Sequence, residues 1–493
     1  MEDNKSKKID INAGVESFGM DRCPRYYTAA ELSDMGKDAI PEELVSGKHL
    51  IYSSPATLAF NSPGAQGFGV KRAGLAIPGS VMLLVAPGCC GRNTTILSEL
   101  PEYEDRFFYL MMDETDIVTG RHLKKIPQAV REVVEGLKDR PSLVMICITC
   151  VDALLGTDME RMCRKAEREC GLPVRPCYMY ALTREGRRPP MVHVRQSIYS
   201  LLEKTRRKRS AVNILGYFAP LEDDCELYEI LQAMGVTRIR EISRCRTFEE
   251  YQEMAQANFS LVLNPEARAA ADDMTKKLGI PFVELARLYR LDKIRRQYTL
   301  FGAALGETVD DQAWYDQAKA AIKDFRDSYP DTVFSIGEGC NANAFELALA
   351  LLEYGFAVRE IFKDPFPDDY RYIDQIAALS PGTRIYSNLE PTMLYYDIDD
   401  IECVDSDRDP LPGSGEAPDA NNTGRGSHLV IGKDAVYYHP QAACLEWSQD
   451  IQPFGYRGLI HFFKECGRVL EDYNAGAGSP EDHIEDKEGG NAL

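Results

Sequence analysis

The chain has 493 residues, 44% hydrophobic and 27% charged, the balance of a folded protein with several domains and a large core. A formal charge of -20 speaks against nucleic acid as a partner. The opening residues 1–8 lack an apolar signal core and no apolar run is long enough to cross a bilayer, so a cytoplasmic location without a membrane partner is expected.

In chain order, residues 1–45 read as a polar, irregular N-terminal arm suited to wrapping a partner, with Cys23 just before Pro24. The loop at 60–69 is a flexible turn: its glycines lack the Gly-x-Gly-x-x-Gly spacing, and no clear strand leads in. Two apolar runs follow, at 80–85 and 142–146, each of the kind that forms a buried parallel strand. The first stops at Ala86-Pro87-Gly88-Cys89-Cys90-Gly91-Arg92, and the second runs into Cys147-Ile148-Thr149-Cys150. Open α/β sheets gather chemistry at the carboxyl ends of their strands, so Cys90 and Cys150 are predicted to emerge at one edge. Gly88 and Gly91 let backbone come close, and residues 151–155 read as a first helical turn, which favours bound negative charge. Fourteen cysteines in a reducing compartment are structural thiols or metal ligands rather than a disulfide framework. Thiolates in such turns suit an iron-sulfur cluster, and the competing reading makes Cys90 and Cys150 small buried apolar residues. Strand alternation favours a core role for Cys147. Cys163 and Cys170, seven apart in a helical stretch, share a face that packs in a core or domain interface. The basic run 204–209 reads either as a solvated linker or as a contact for phosphate or an acidic partner.

Residues 211–328 alternate strands (212–218, 259–263) with helices (222–234, 266–278). Near 332–341 a strand passes through Gly337 and Gly339 into a helix at 342–354. Glu338 and Cys340 are candidate cavity residues there, against a plain helix-start role. The stretch 405–427 reads as a mobile insertion, and the acidic tail from residue 474 as disordered. The predicted fold class is α/β: three Rossmann-like doubly wound parallel-sheet domains around a central cleft, at 46–210 (the cluster-binding domain), 211–328 and 329–473. No Gly-x-x-x-x-Gly-Lys-Ser/Thr loop is present, so no ATPase is assigned to this chain itself.

From about 45 to 470 the chain resembles the component-1 superfamily of nitrogenases and nitrogenase-like reductases. Ala86-Pro87-Gly88-Cys89-Cys90-Gly91 is similar to that family's Gly-Pro-x-Gly-Cys-Gly, which places Cys90 at its cluster cysteine. Cys150 with Leu155-Gly156-Thr157-Asp158 is similar to its cysteine followed by Ile-Gly-Asp-Asp. Asp116-Ile117-Val118-Thr119-Gly120 and the 212–236 region match two further motifs, in the family's order. The resemblance implies an oxidoreductase: a separate iron-sulfur ATPase docks on a dimer and passes electrons to a bridging cluster, which relays them to substrate. It implies Cys90 and Cys150 as metal ligands. Many members carry a further cluster cysteine where 61–64 has none. A four-iron cluster needs four ligands, so the preferred arrangement repeats Cys90 and Cys150 across a two-fold axis at a subunit interface. Cys89 or Cys147 as a third ligand within one chain, or a paralogous partner subunit, are the alternatives. The family's active-site cofactor cysteine aligns at Asn264, a further cavity candidate, and its cofactor histidine aligns near 453–458, where there is none; His461 reads as a packed or surface residue. Dinitrogen reduction through such a cofactor is therefore not expected, and an additional metal cofactor stays unassigned. The expected role is the catalytic component of a nitrogenase-like reductase. A cofactor-assembly scaffold and a cluster-free binding relative are the alternatives.

Overall fold

The computed structural model describes residues 24–45, 69–88, 101–149, 151, 155–179, 188–387, 390, 392–393, 396, 428–432, 435, 437–447 and 452–475. Strand β1 is Tyr27–Thr28. A first group of strands is β2 Ser80–Ala86, β3 Phe107–Met111, β4 Leu143–Ile148 and β5 Val174–Tyr178. The second group is β6 Ala211–Leu215, β7 Arg238–Glu241, β8 Phe259–Val262 and β9 Phe282–Glu284. The third is β10 Val333–Gly337, β11 Ala357–Phe362, β12 Arg384–Tyr386, β13 His428–Ile431 and β14 Ala443–Leu445. Each group forms its own sheet with parallel pairing throughout, and β1 joins the third sheet antiparallel to β12. The chain divides into two compact units, and the architecture is α/β as expected.

One unit, residues 63–321 with 449–462, holds the first two sheets, ordered β3-β2-β4-β5 and β7-β6-β8-β9. Both faces of the first sheet are covered, which is why β2 and β4 read as unbroken apolar runs. Val81, Leu83, Val85, Val144, Ile146 and Ile148 face the helices His122–Gly136 and Met159–Cys170. Met82, Leu84, Met145 and Cys147 face the other way, into a core that continues beneath the second sheet through Val194, Leu215, Val262 and Met274. Cys163 lies in the first of these cores, where burial pushes its thiol up to about 12, and Cys170 is half-buried at the helix end. The basic run is exposed, with Arg207 donating to the carbonyls of Asn258 and Gly279.

The other unit, residues 1–62, 322–448 and 463–493, holds the third sheet, ordered β1-β12-β11-β10-β13-β14. Residues 27–35, read from sequence as part of an irregular arm, instead form β1 and the helix Ala29–Met35. The reason is local. Thr28 and Glu31 make a reciprocal capping box, with Glu31 N donating to Thr28 Oγ1 at 3.2 Å and Thr28 N to Glu31 Oε2 at 2.7 Å. The loop at 60–69, apart from Gly69, the insertion 405–427 and the tail from 476 lie outside the described residues. No helix among the described residues is long and apolar enough to cross a membrane.

Candidate functional site

In the first sheet the second strand in chain order lies on one side of β2 and the third on the other, so the crevice between β2 and β4 is the topological switch point. The two strands run parallel and in register, with Val85 opposite Ile148. Their carboxyl ends thus leave the sheet side by side, at Pro87-Gly88 and at Thr149. Cys89, Cys90 and Cys150 follow these ends in sequence and themselves lie outside the described residues. Thr149 is buried, and its hydroxyl has no hydrogen-bond partner among the described residues. Tyr109 braces the neighbouring end by donating its hydroxyl to the carbonyls of Ala86, at 3.1 Å, and Pro87. Cys147 is fully buried beside Cys177, its register partner on β5, with the two thiols in hydrogen-bonding contact. It packs in the core, the role that strand alternation favours for it.

Around this edge the structure joins two segments that the sequence offered separately. Asp113 caps the helix Glu114–Thr119 through Asp116 N, and Asp116 is buried. A hydrogen bond from Lys125 Nζ at 2.5 Å, with Arg121 Nε at 3.2 Å, holds the Asp116 carboxyl below its usual range. His122 then bridges the carbonyl of Asp116, 3.1 Å from Nδ1, and the hydroxyl of Thr157, 3.4 Å from Nε2. From sequence Asp116 stood out only within a family-like motif, and His122 and Lys125 not at all, although Asp113 and Asp116 carry the three-residue spacing of a capping box. Beside this frame Met111, Val118 and Leu155 stand exposed, Val118 at 85%.

The second sheet has the same order, and its switch point lies between β6 and β8. Gly216, just past β6, takes φ +133 and packs directly on the backbone of Asn264 just past β8. Arg195 is buried there, donating to Gly216 O through Nε at 3.0 Å and Nη2 at 2.6 Å, and pairing with Glu266 at 2.8 Å. Asn264 is half-buried, and its Oδ1 accepts from Glu266 N at 3.0 Å, the contact of a helix-start residue. His461 pairs through Nδ1 with Glu222.

The third sheet runs in the order 3-2-1-4-5 when its strands are counted from β10, which puts its switch point between β10 and β13. Glu338 is exposed just past β10, and Cys340 is half-buried with Sγ 3.7 Å from Ala342 O. These two therefore lie together in one unit, and Asn264 lies in the other. No group of three or more His, Cys, Asp or Glu side chains among the described residues could hold a metal.

Comparison with known proteins agrees with this architecture. The chain is 24% identical over 257 residues to the nitrogenase iron-molybdenum cofactor biosynthesis protein NifE of Nostoc sp., covering 48% of this chain and 53% of that one. It is 27% identical over 179 residues to the nitrogenase molybdenum-iron protein alpha chain of Methanosarcina barkeri, covering 35% and 33%. The chain thus spans about half the length, or less, of these curated relatives. Among solved structures, that titled nitrogenase Cp1 at pH 6.5 superposes with a TM-score of 0.63 at 17% identity, over 90% of this chain and 98% of that one, a likeness of fold. Residues 65–401, more than half of the sequence, match the nitrogenase component 1 type oxidoreductase family, and the chain belongs to it.

Proposed function

We propose that the chain is the catalytic component of a nitrogenase-like, ATP-dependent reductase. A separate iron-sulfur ATPase would deliver low-potential electrons through a cysteine-held cluster at the β2/β4 edge. The observation that carries this reading is the register of β2 on β4, which brings the strand ends before Cys90 and Cys150 together at a switch point. Cys90 and Cys150 would hold the cluster, with Cys89 in reserve and a second copy or a paralogous subunit supplying the remaining thiolates. When bound, a four-iron cluster supplies one-electron chemistry at low potential. The residues present fit such a group. The unpartnered hydroxyl of buried Thr149 is a donor suited to a thiolate or sulfide, and donors to sulfur tune cluster potential. Asp116, His122 and Lys125 stiffen the surrounding turns.

The test is anaerobic purification with iron and sulfide analysis. Cys90→Ala and Cys150→Ala are each expected to lose bound iron at least about ten-fold, the lower end of what losing even an outer-shell partner costs in metal affinity. Full retention of iron and visible absorption by both variants would end the reading. The exposed apolar side chains Met111, Val118 and Leu155 beside this edge support docking of the ATPase here. Val118→Glu leaves a solvent-facing position polar without touching the core, and is expected to weaken that complex about ten-fold. Unchanged affinity in a pull-down titration would place the ATPase elsewhere.

A second reading, a cofactor-assembly scaffold, draws support from the relative in Nostoc sp., which is by name a cofactor biosynthesis protein. Bleaching of the cluster on adding ATP and the ATPase, followed by reduction of an added substrate, separates the reductase from the scaffold.

A further inference from the structure

The third sheet buries a charged group that electron transfer at the first sheet does not use. Glu360 of β11 is fully buried, and each of its neighbours is a donor. Ser335 of β10 donates its hydroxyl to Oε2 at 3.1 Å, His439 Nε2 donates to the same oxygen at 2.7 Å, and Tyr396 donates its hydroxyl to Oε1 at 2.7 Å. Arg359 Nε stands 3.4 Å from Oε1. Because the Ser335 proton is committed to Glu360, His428 Nε2 must be the donor to Ser335 Oγ, 2.9 Å away. His428 and His439 meet edge to face with ring centroids 4.5 Å apart, and His439 Nδ1 is buried with no partner among the described residues. The other titratable groups nearby are Arg384 and Tyr386 of β12, Tyr26, Tyr438, whose ring lies 5.1 Å from that of Tyr396, and Cys444 of β14 in the same packed cluster.

These contacts gather β10, β11, β13, Tyr396 and the stretch around His439 onto one carboxylate. We propose that Glu360 is the hub of an acid-released latch that fastens β13, Tyr396 and residues 437–445 onto β10 and β11. The hydrogen-bond polarity makes the latch directional. A proton on Glu360 turns an acceptor ringed by donors into a donor facing donors, and the set cannot be kept. A proton on His428 sets a cation in a dry site beside Arg359 and His439.

Burial first, then His439 and Arg359, push His428 from 6.5 down to about 3. For Glu360 burial works upward, but the hydrogen bond and attraction of His439, with Arg359, hold it well below the carboxylate range. Both groups take up protons more readily once exposed. The stability they give is full above their exposed values and is lost as pH falls, from about 6.5 for His428 and from about 4.5 for Glu360.

Hydrogen exchange on the full chain, corrected for intrinsic rates, tests this. From pH 7.0 to 4.5 the opening constant of amides in 428–431 and 437–445 is expected to rise about 70-fold through His428 alone, with β6 and β8 far less affected. His428→Asn should cut that rise to about two-fold, the share left to Glu360. Glu360→Gln, which sets an amide donor in the hub, should open the same segments at least about ten-fold more at pH 7.0 than in the parent. A parent profile flat within two-fold across that range, or a His428→Asn profile as steep as the parent's, overturns the latch whatever Glu360→Gln does.

Discussion

Gly455→Ala is expected to destabilise the unit that contains it by about 4 kcal/mol, the cost of breaking a buried charged contact. Gly455 opens the helix Gly455–Asn474 in the left-handed region at φ +64. A methyl group there would overlap the carboxylate of Glu226 and the hydroxyl of Tyr298. Glu226 is fully buried, and it accepts from Tyr456 N at 2.6 Å, Arg457 N at 3.0 Å and the Tyr298 hydroxyl at 2.7 Å. It thus satisfies the free amides of the helix start with a full negative charge where the helix dipole favours one. Burial pushes the Glu226 carboxyl up in pKa, against the pull of those three donors. Displacing it strands both the amides and the charge. Urea unfolding would read the loss, and a decrease no larger than about 1–2 kcal/mol, what the left-handed backbone alone costs, would mean that the carboxylate can retreat freely.

Gly216→Ala is the second large effect, at about 3 kcal/mol. Its added Cβ would stand 2.6 Å from Asn264 N and 2.8 Å from Asn264 Cβ, at a φ of +133 that side chains rarely adopt. Relief requires the ends of β6 and β8 to part, and with them go the two hydrogen bonds from Arg195 to Gly216 O. Gly235→Ala is the control. That glycine also has positive φ, +81, but no described atom lies within 4 Å of the added one, so only the left-handed backbone cost of about 1–2 kcal/mol is expected. Equal losses for the two variants would show that close approach of the strands contributes nothing.

The sheets were legible in the sequence because a strand buried on both faces is written as a continuous apolar run, as in β2 and β4. Boundaries moved by a few residues. The helix expected at 222–234 is Glu226–Ala233, since the chain first turns through residues 222–225, and the helix expected at 342–354 begins at Ala344, where Asn343 supplies the cap. What escaped was polar. The Thr28/Glu31 box lies inside a stretch whose low hydrophobicity masked it. The Glu360 network has no local pattern at all, because Ser335 is 25 residues away and His439 is 79. Asn264 and Cys340 stood out only by position; Asn264 caps a short helix, and Cys340 contacts Ala342 O in the turn that precedes the helix at Ala344.

The two residues of β1 have a consequence out of proportion to their length. Tyr27 and Thr28 lie against Ile385 and Arg384 and occupy the outer rim of β12. Proteolytic clipping just before Ala29 would bare that rim's amides and carbonyls, converting a finished border into a template on which a foreign strand can add.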